Sequence, residues 1–224
     1  MLGEEFAVFL ECYRAVYIDI AKVASSSLKV KFAVVLGLDL DKVGGNPHEV
    51  EFPHPPESGH AGERLYPGLY TFAFVRNPWD RLVSCYRDKI QGEVEGFTRF
   101  SRSGVAHCLA RFDTFSANMS FEEFVHAVAL LPDAEADEHF RSRHNYVTNV
   151  WGAIAVDFVG RYENLESDFR HVAERIGLPT ETRLPRLQAN PRFVSYTDYY
   201  TTVTRDIIAT RFAQDIALFS YHFG

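Results

Sequence analysis

Short apolar segments, each followed by a polar loop and then by a helix, constrain the fold of this chain more than any other feature. The clearest segment is residues 70–75, Tyr-Thr-Phe-Ala-Phe-Val, and Pro78 lies just beyond it, where a residue without an N–H would interrupt a sheet ladder. Residues 15–20 and 156–160 are also apolar and rich in β-branched side chains. Strands that alternate with helices indicate βαβ units, so we expect an α/β fold with a parallel central sheet flanked by helices.

Helix signals follow these strands along the chain. Ser120 and Glu123 form a capping box before one helix, and Gly177 is placed to end another as its C-cap. Asp80 is the predicted cap of the helix that follows residues 70–75. The predicted helices cover residues 28–36, 80–90, 121–131, 165–176 and 205–219.

Charge and cysteine usage narrow the class of protein. The 224 residues carry a formal net charge of −7, which argues against a general nucleic-acid or anionic-membrane binder but not against a small anionic ligand held by a few local cations. Cys12, Cys85 and Cys108 form no C-x-x-C pair, which favours reduced thiols. The start resembles no signal peptide, and no apolar run reaches the ~20 residues of a membrane span. We expect one cytoplasmic domain over residues 1–224.

The first strand–helix junction has the composition of an anion site. Lys22 and residues 25–27, Ser-Ser-Ser, lie between the strand and the predicted helix. The first N–H groups of a helix have no intrahelical acceptor, and the helix dipole there favours negative charge. This is not a Walker A loop, since no glycine lies between Ile18 and Leu36 and the lysine precedes the serines. The alternative is a serine-rich turn in which Ser27 only caps the helix.

The second junction combines an arginine with a hydroxyl. Arg76 directly follows the strand at residues 70–75, and Ser84 lies eight residues later on the predicted helix. An arginine fork and a hydroxyl suit a terminal phosphate. The alternative is a surface helix whose charges are solvated.

These two junctions carry a family resemblance. Residues 21–29, Ala-Lys-Val-Ala-Ser-Ser-Ser-Leu-Lys, resemble the 5′-phosphosulfate loop of PAPS-dependent sulfotransferases, and residues 74–87 resemble their 3′-phosphate motif, R-x-P-x-x-R-L-x-S. Residues 158–165 and the tail are similar to the carbohydrate-type branch, the sulfotransferases of the HNK-1 and chondroitin type. The tail carries Asn190-Pro191-Arg192, Tyr199-Tyr200 and residues 215–221. The chain is thereby identified as a member of this family.

The resemblance implies a P-loop-like, three-layer fold and sulfuryl transfer from PAPS to an acceptor hydroxyl, with release of PAP. Lys22 would contact the 5′-phosphosulfate and stabilise charge on the bridging oxygen. Ala24 and the three residues Ser25, Ser26 and Ser27 would hold the 5′-phosphate. The reaction requires no metal, because N–H groups, lysine and hydroxyls can stabilise a sulfuryl group that carries little negative charge.

At the other end of the donor, the resemblance implies that Arg76 and Ser84 hold the 3′-phosphate. Tyr162 would lie near the adenosine, and Arg192 near the 3′-phosphate. The acceptor would be a carbohydrate or a hydroxylated small molecule.

A general base must remove the acceptor proton, and histidine is the side chain that ordinarily titrates near neutral pH. His54, which lies between two prolines in the loop before the strand at residues 70–75, is the first candidate. His60, Glu57 and Glu63 lie in the same loop and are alternatives.

Two other functions remain open from the sequence. One is a nucleotide-dependent kinase of the P-loop type, and the other is a non-catalytic module that binds PAP or PAPS. No metal site is predicted, since His139 and His144 are five residues apart and the sequence offers no third ligand.

Overall fold

Four strands form one sheet in this computed structural model, which describes residues 6–56, 63–92, 98, 100–102, 104–179, 184–185 and 194–224. Strands β1 (Ala7–Leu10), β2 (Ala15–Ile18), β3 (Tyr70–Val75) and β4 (Phe158–Arg161) lie in that order across it. Strands β2, β3 and β4 are parallel, and β1 pairs with β2 antiparallel. The prediction of an α/β fold with a parallel sheet flanked by helices is confirmed, with β1 as an unpredicted antiparallel edge.

The contacts of the chain group it into two compact units. The first unit comprises residues 1–76 and 143–187, and the second comprises residues 77–142 and 188–224. The sheet belongs to the first unit. The prediction of one domain over residues 1–224 stays a prediction.

In the first unit, helices α1 (Ser25–Val35) and α5 (Leu165–Ile176) cover one face of the sheet. Tyr17 and Phe72 are cross-strand partners on this face, and the ring of Phe32 from α1 packs 5.2 Å and 6.1 Å from theirs. Phe169 from α5 packs 6.3 Å from Phe32. The predicted α5 is confirmed with its C-cap, because Gly177 has a φ of +79° that glycine adopts without strain. A short helix, α4 (His144–Val147), also belongs to this unit.

The second unit is built from helices around an aromatic core. Its helices are α2 (Pro78–Lys89), α3 (Phe121–Leu130), α6 (Thr202–Arg211) and α7 (Ala213–Phe219). Its core includes the buried side chains of Trp79, Tyr86, Phe115, Phe124, Phe140 and Phe212. The guanidinium of Arg81 lies in that core, 3.7 Å from the Asp215 carboxylate.

Two helix boundaries of the second unit differ from the sequence prediction. The cap of α2 is Asn77, whose side chain accepts hydrogen bonds from the N–H groups of Trp79 and Asp80, because Pro78 fits the first helical position and moves the start two residues earlier than Asp80. The predicted helix at residues 205–219 is two helices that meet at Phe212. The capping box of Ser120 and Glu123 before α3 is confirmed.

Strand β1 escaped prediction because its turn carries no glycine or asparagine. Arg14 adopts the left-handed conformation, with a φ of +49°, between β1 and β2.

Within the described ranges, none of the helices has the length and apolar character needed to cross a membrane.

Candidate functional site

The carboxyl ends of the parallel strands place two predicted site residues side by side. Val75 of β3 and Arg161 of β4 are register partners, and Arg76 and Tyr162 follow them directly. The Arg76 guanidinium accordingly lies over the Tyr162 ring, 4.1 Å from its centroid. Parallel α/β sheets bind ligands outside this edge, so both residues lie where the sequence predicted a site.

The third predicted element, the loop after β2, lies at the same edge. Helix α1 begins at Ser25, three residues earlier than predicted, and its N-cap is Ala24 with a φ of +66°. Lys22 also has a φ of +66°. The alternative in which Ser27 caps the helix is wrong, since Ser27 lies inside the first turn and the cap has no side-chain hydrogen bond. The N–H groups of Ser25–Ser27 are therefore the ones that lack an intrahelical acceptor.

Two buried arginines hold the carbonyl groups of this loop. Arg76 Nη1 donates to the Lys22 carbonyl at 3.1 Å, and Arg143 Nη2 donates to the Ala21 carbonyl at 2.9 Å. The two side chains are 4% and 1% exposed. The site is therefore rich in positive charge although the whole chain is acidic. The sequence analysis missed Arg143, which lies 122 residues from its acceptor and in no recognisable motif.

Asp19 fixes the start of α1 from the other side. Its carboxylate accepts a hydrogen bond from Ser25 Oγ at 2.6 Å and pairs with Lys29 Nζ at 2.5 Å. Burial, together with the nearby Asp19 carboxylate, raises the pKa of the Tyr17 hydroxyl well above its usual value. Tyr17 therefore stays neutral beneath the site, and the Lys29 charge is balanced by Asp19.

A histidine that sequence reasoning passed over contacts the serine loop. His48 Nε2 lies 2.8 Å from Ser26 Oγ. His48 belongs to the long glycine- and proline-rich loop between α1 and β3, two residues after Asn46, whose side chain accepts from the His48 N–H at 3.1 Å. The loop itself was the only signal in the sequence, since nothing distinguishes His48 from the other histidines it carries.

Unlike His48, the predicted general bases make no side-chain contact with the serine loop among the described residues. His54 is exposed, between prolines, in a segment attached to β1 by the bond from the Phe9 N–H to the Pro53 carbonyl at 2.9 Å. Glu63 is exposed, and its carbonyl accepts from the Asn149 side chain at 3.5 Å. In the part of the chain that the structure describes, no hydrogen bond or ion pair joins either side chain to Lys22 or to the serines.

Three predicted residues, Glu57, His60 and Arg192, lie outside the described residues. Ser84 is half-buried on α2, in the second unit, and its place in a 3′-phosphate site stays a prediction. The structure thus brings together Lys22, Ala24, Ser25–Ser27, Arg76 and Tyr162.

This arrangement can bind a phosphate or sulfate ester. Helix N–H groups and lysine stabilise anionic oxygens, and donors fixed by buried contacts need little reorganisation when charge develops in a transition state. Hydroxyls of Ser25 and Ser26 are already oriented by Asp19 and His48.

Comparisons with known proteins agree with this chemistry. The family model described as "Sulfotransferase family" matches residues 7–222. The chain is 30% identical over 207 residues to carbohydrate sulfotransferase 14 of Danio rerio, with 88% of this chain and 52% of the relative covered. It is 28% identical over 230 residues to carbohydrate sulfotransferase 14 of Homo sapiens, with 93% and 58% covered.

A third relative, carbohydrate sulfotransferase 11 of Mus musculus, is 28% identical over 158 residues, with 65% of this chain and 40% of the relative covered. The chain spans about half the length of the curated carbohydrate sulfotransferases it matches. No solved structure gives a significant match. The match over nearly the whole chain confirms the family predicted from the two junctions: this protein belongs to the sulfotransferase family.

Proposed function

We propose that this protein transfers a sulfuryl group from PAPS to a hydroxyl group of a carbohydrate. The bond between sulfur and the oxygen that bridges to the 5′-phosphate breaks, and a new bond forms between sulfur and the acceptor oxygen. The acceptor proton goes to a general base, and PAP leaves with the bridging oxygen. Lys22 donates to that oxygen as negative charge develops on it.

The observation that carries this proposal is the loop of Lys22 at the start of α1. The first-turn N–H groups of Ser25–Ser27 are available to the 5′-phosphate, and Lys22 adjoins them. Arg76 is bonded to the Lys22 carbonyl and stacked on Tyr162, so the donor's adenosine end and its sulfuryl end would meet contiguous residues of the first unit. We place Ser84 and Arg192 at the 3′-phosphate from the sequence motifs alone.

We infer a carbohydrate acceptor from the names of the relatives, which are carbohydrate sulfotransferases.

We propose His54 as the base, from its position in the loop before β3. The contact of His48 with Ser26 makes His48 a second candidate. His54→Ala and His48→Ala separate the two: loss of the base lowers kcat and leaves PAP affinity unchanged, whereas loss of a residue that positions Ser26 weakens PAP binding as well. A cytoplasmic location remains part of the proposal.

Thermal shift with PAP, ADP and AMP tests the donor site. We expect PAP to raise the Tm more than either other nucleotide, because only PAP carries a 3′-phosphate. A larger shift with ADP and Mg²⁺ would favour the kinase alternative and contradict the proposal.

Transfer of labelled sulfate from PAPS to a panel of carbohydrates tests the reaction. We expect Lys22→Ala to abolish transfer while the protein remains folded, and Lys42→Ala to behave as wild type, since Lys42 is 79% exposed and pairs only loosely with Asp39 at 4.0 Å. PAP binding without transfer to any acceptor would favour the non-catalytic alternative. Transfer at the wild-type rate by Lys22→Ala would show that the lysine has been misassigned.

A further inference from the structure

Three potential metal ligands converge in the second unit. One ligand atom each from Cys108, Asp137 and His139 lies within 4.8 Å of the others. Cys108 comes from the segment between α2 and α3, and the other two come from the segment that follows α3. As a metal ligand, His139 was considered from the sequence only with His144, and the spacing of 29 residues from Cys108 to Asp137 is no known ligand pattern.

The Asp137 carboxylate orients the His139 ring. Asp137 Oδ1 lies 2.5 Å from His139 Nδ1 and accepts the His139 backbone N–H at 3.0 Å. A zinc ion bound by both side chains would take the place of the proton that they share. Ligands of a tetrahedral zinc ion lie at ~2.0–2.3 Å from the metal and so about 3.5 Å from one another. The contact between Asp137 and His139, now 2.5 Å, would therefore lengthen by about 1 Å when the ion binds.

The burial and charge of the cluster suit a cation. Asp137 is buried, and Cys108 and His139 are half-buried. A doubly charged ion bound by one thiolate and one carboxylate would leave the cluster neutral.

Two basic residues lie next to the cluster, and neither prevents a metal ion from binding. Lys89 pairs with Asp88 at 3.3 Å and donates to Thr98 at 3.0 Å. Arg111 Nη2 lies 3.8 Å from Asp137 Oδ2, on a side chain that is 61% exposed. An exposed arginine at that distance gains little from the pair, so a metal can displace it.

We propose that Cys108, Asp137 and His139 bind a zinc ion, with water at the remaining position. Thiolate, imidazole and carboxylate are the ligands that zinc takes in proteins, and three protein ligands with one open position form a complete zinc site. The ion would join the segment between α2 and α3 to the segment after α3. No metal is proposed for the sulfuryl transfer itself.

Cobalt titration of the reduced 224-residue chain tests the site, because a thiolate–cobalt bond produces a charge-transfer band in the near ultraviolet. We expect one cobalt per chain, displacement by zinc, and a zinc-dependent rise in Tm, since a ligand that binds only the folded state stabilises it. Cys108→Ser should remove the band and His139→Ala should weaken affinity at least ~10-fold. The matched controls Cys12→Ser and His107→Ala, both at exposed positions, should bind as wild type.

Arg111→Ala should tighten binding, because it removes a positive charge beside Asp137. Absence of the band in the wild-type chain at a large excess of cobalt, or its persistence in Cys108→Ser, would overturn the proposal. The wild-type spectrum decides the question even if a ligand variant fails to fold. Thermal shift with PAP on the same samples reports separately on the donor site.

Discussion

Arg76 should contribute to stability as well as to donor binding, and replacement by lysine separates its shape from its charge. Lysine keeps the positive charge but loses the planar group that lies 4.1 Å from the Tyr162 centroid and the fork that reaches the Lys22 carbonyl at 3.1 Å. A desolvated cation–π contact contributes about 2 kcal/mol, and a charged hydrogen bond contributes ~1.5–3 kcal/mol. The lysine ammonium can restore part of one of these two contacts. We therefore expect Arg76→Lys to lower the free energy of unfolding by about 2–3 kcal/mol.

For a chain of this size, that cost corresponds to a fall in Tm of about 5–10 °C. Differential scanning fluorimetry measures it, and titration with PAP should show at least a ~10-fold weaker Kd, because a loss of about 1.4 kcal/mol is tenfold. Arg175→Lys is the matched control: Arg175 is exposed and lies 5.4 Å from the Tyr70 centroid, so its replacement should cost less than about 1 kcal/mol. Equal Tm values for the two variants would refute the argument that burial makes the Arg76 contacts strong.

Three further variants test the fold. Ser120→Ala removes the capping box of α3 and should cost about 1 kcal/mol in chemical denaturation. Burial would raise the pKa of Asp133, but hydrogen bonds, above all from Arg211, hold that pKa below its usual value. The stability that this carboxylate contributes is therefore complete above about pH 5 and is lost as the pH falls. Asp133→Asn should accordingly flatten the acid side of a Tm–pH profile. Gly160→Ala would place a Cβ 2.5 Å from the buried ring of Phe74 and should cost about 1–3 kcal/mol of unfolding free energy, while wild-type stability would contradict the close packing.

The sequence predicted those parts of the fold that local patterns encode. Strand β3 was found residue for residue, because a mostly apolar run of six residues ends at a proline-containing turn. The apolar stripe at residues 205–219 was also recognised, but it belongs to two helices that meet at Phe212. Periodicity indicates which face of a helix is apolar, and the apolar stripe continues across Phe212. The backbone nevertheless leaves the helix at Phe212, where φ is −113° and ψ is 27°. A break of this kind depends on packing that the pattern does not contain.

The site was predictable where a motif reports it and not where distant residues build it. Lys22, the serines and Arg76 were identified from junctions between a strand and a helix, which fix the position of a side chain at the edge of the sheet. Arg143 and His48 contribute through contacts 122 and 22 residues away along the chain. No local spacing can predict such contacts, so sequence reasoning found the residues that we propose bind the anion but missed the residues that hold the loop in place.

The glycine-free loop after β2 explains why those supporting contacts are needed. A Walker A loop uses glycine where the chain turns around a phosphate, whereas here Lys22 and Ala24 adopt the left-handed conformation, each with a φ of +66°. Each such residue costs roughly 1–2 kcal/mol and persists only when its surroundings fix it. The arginine bonds to the Ala21 and Lys22 carbonyls on one side, and the bond between Asp19 and Ser25 on the other, are those surroundings. The lack of glycine therefore excludes one kind of phosphate loop without excluding an anion site, because buried side chains here enforce the backbone that glycine would otherwise permit.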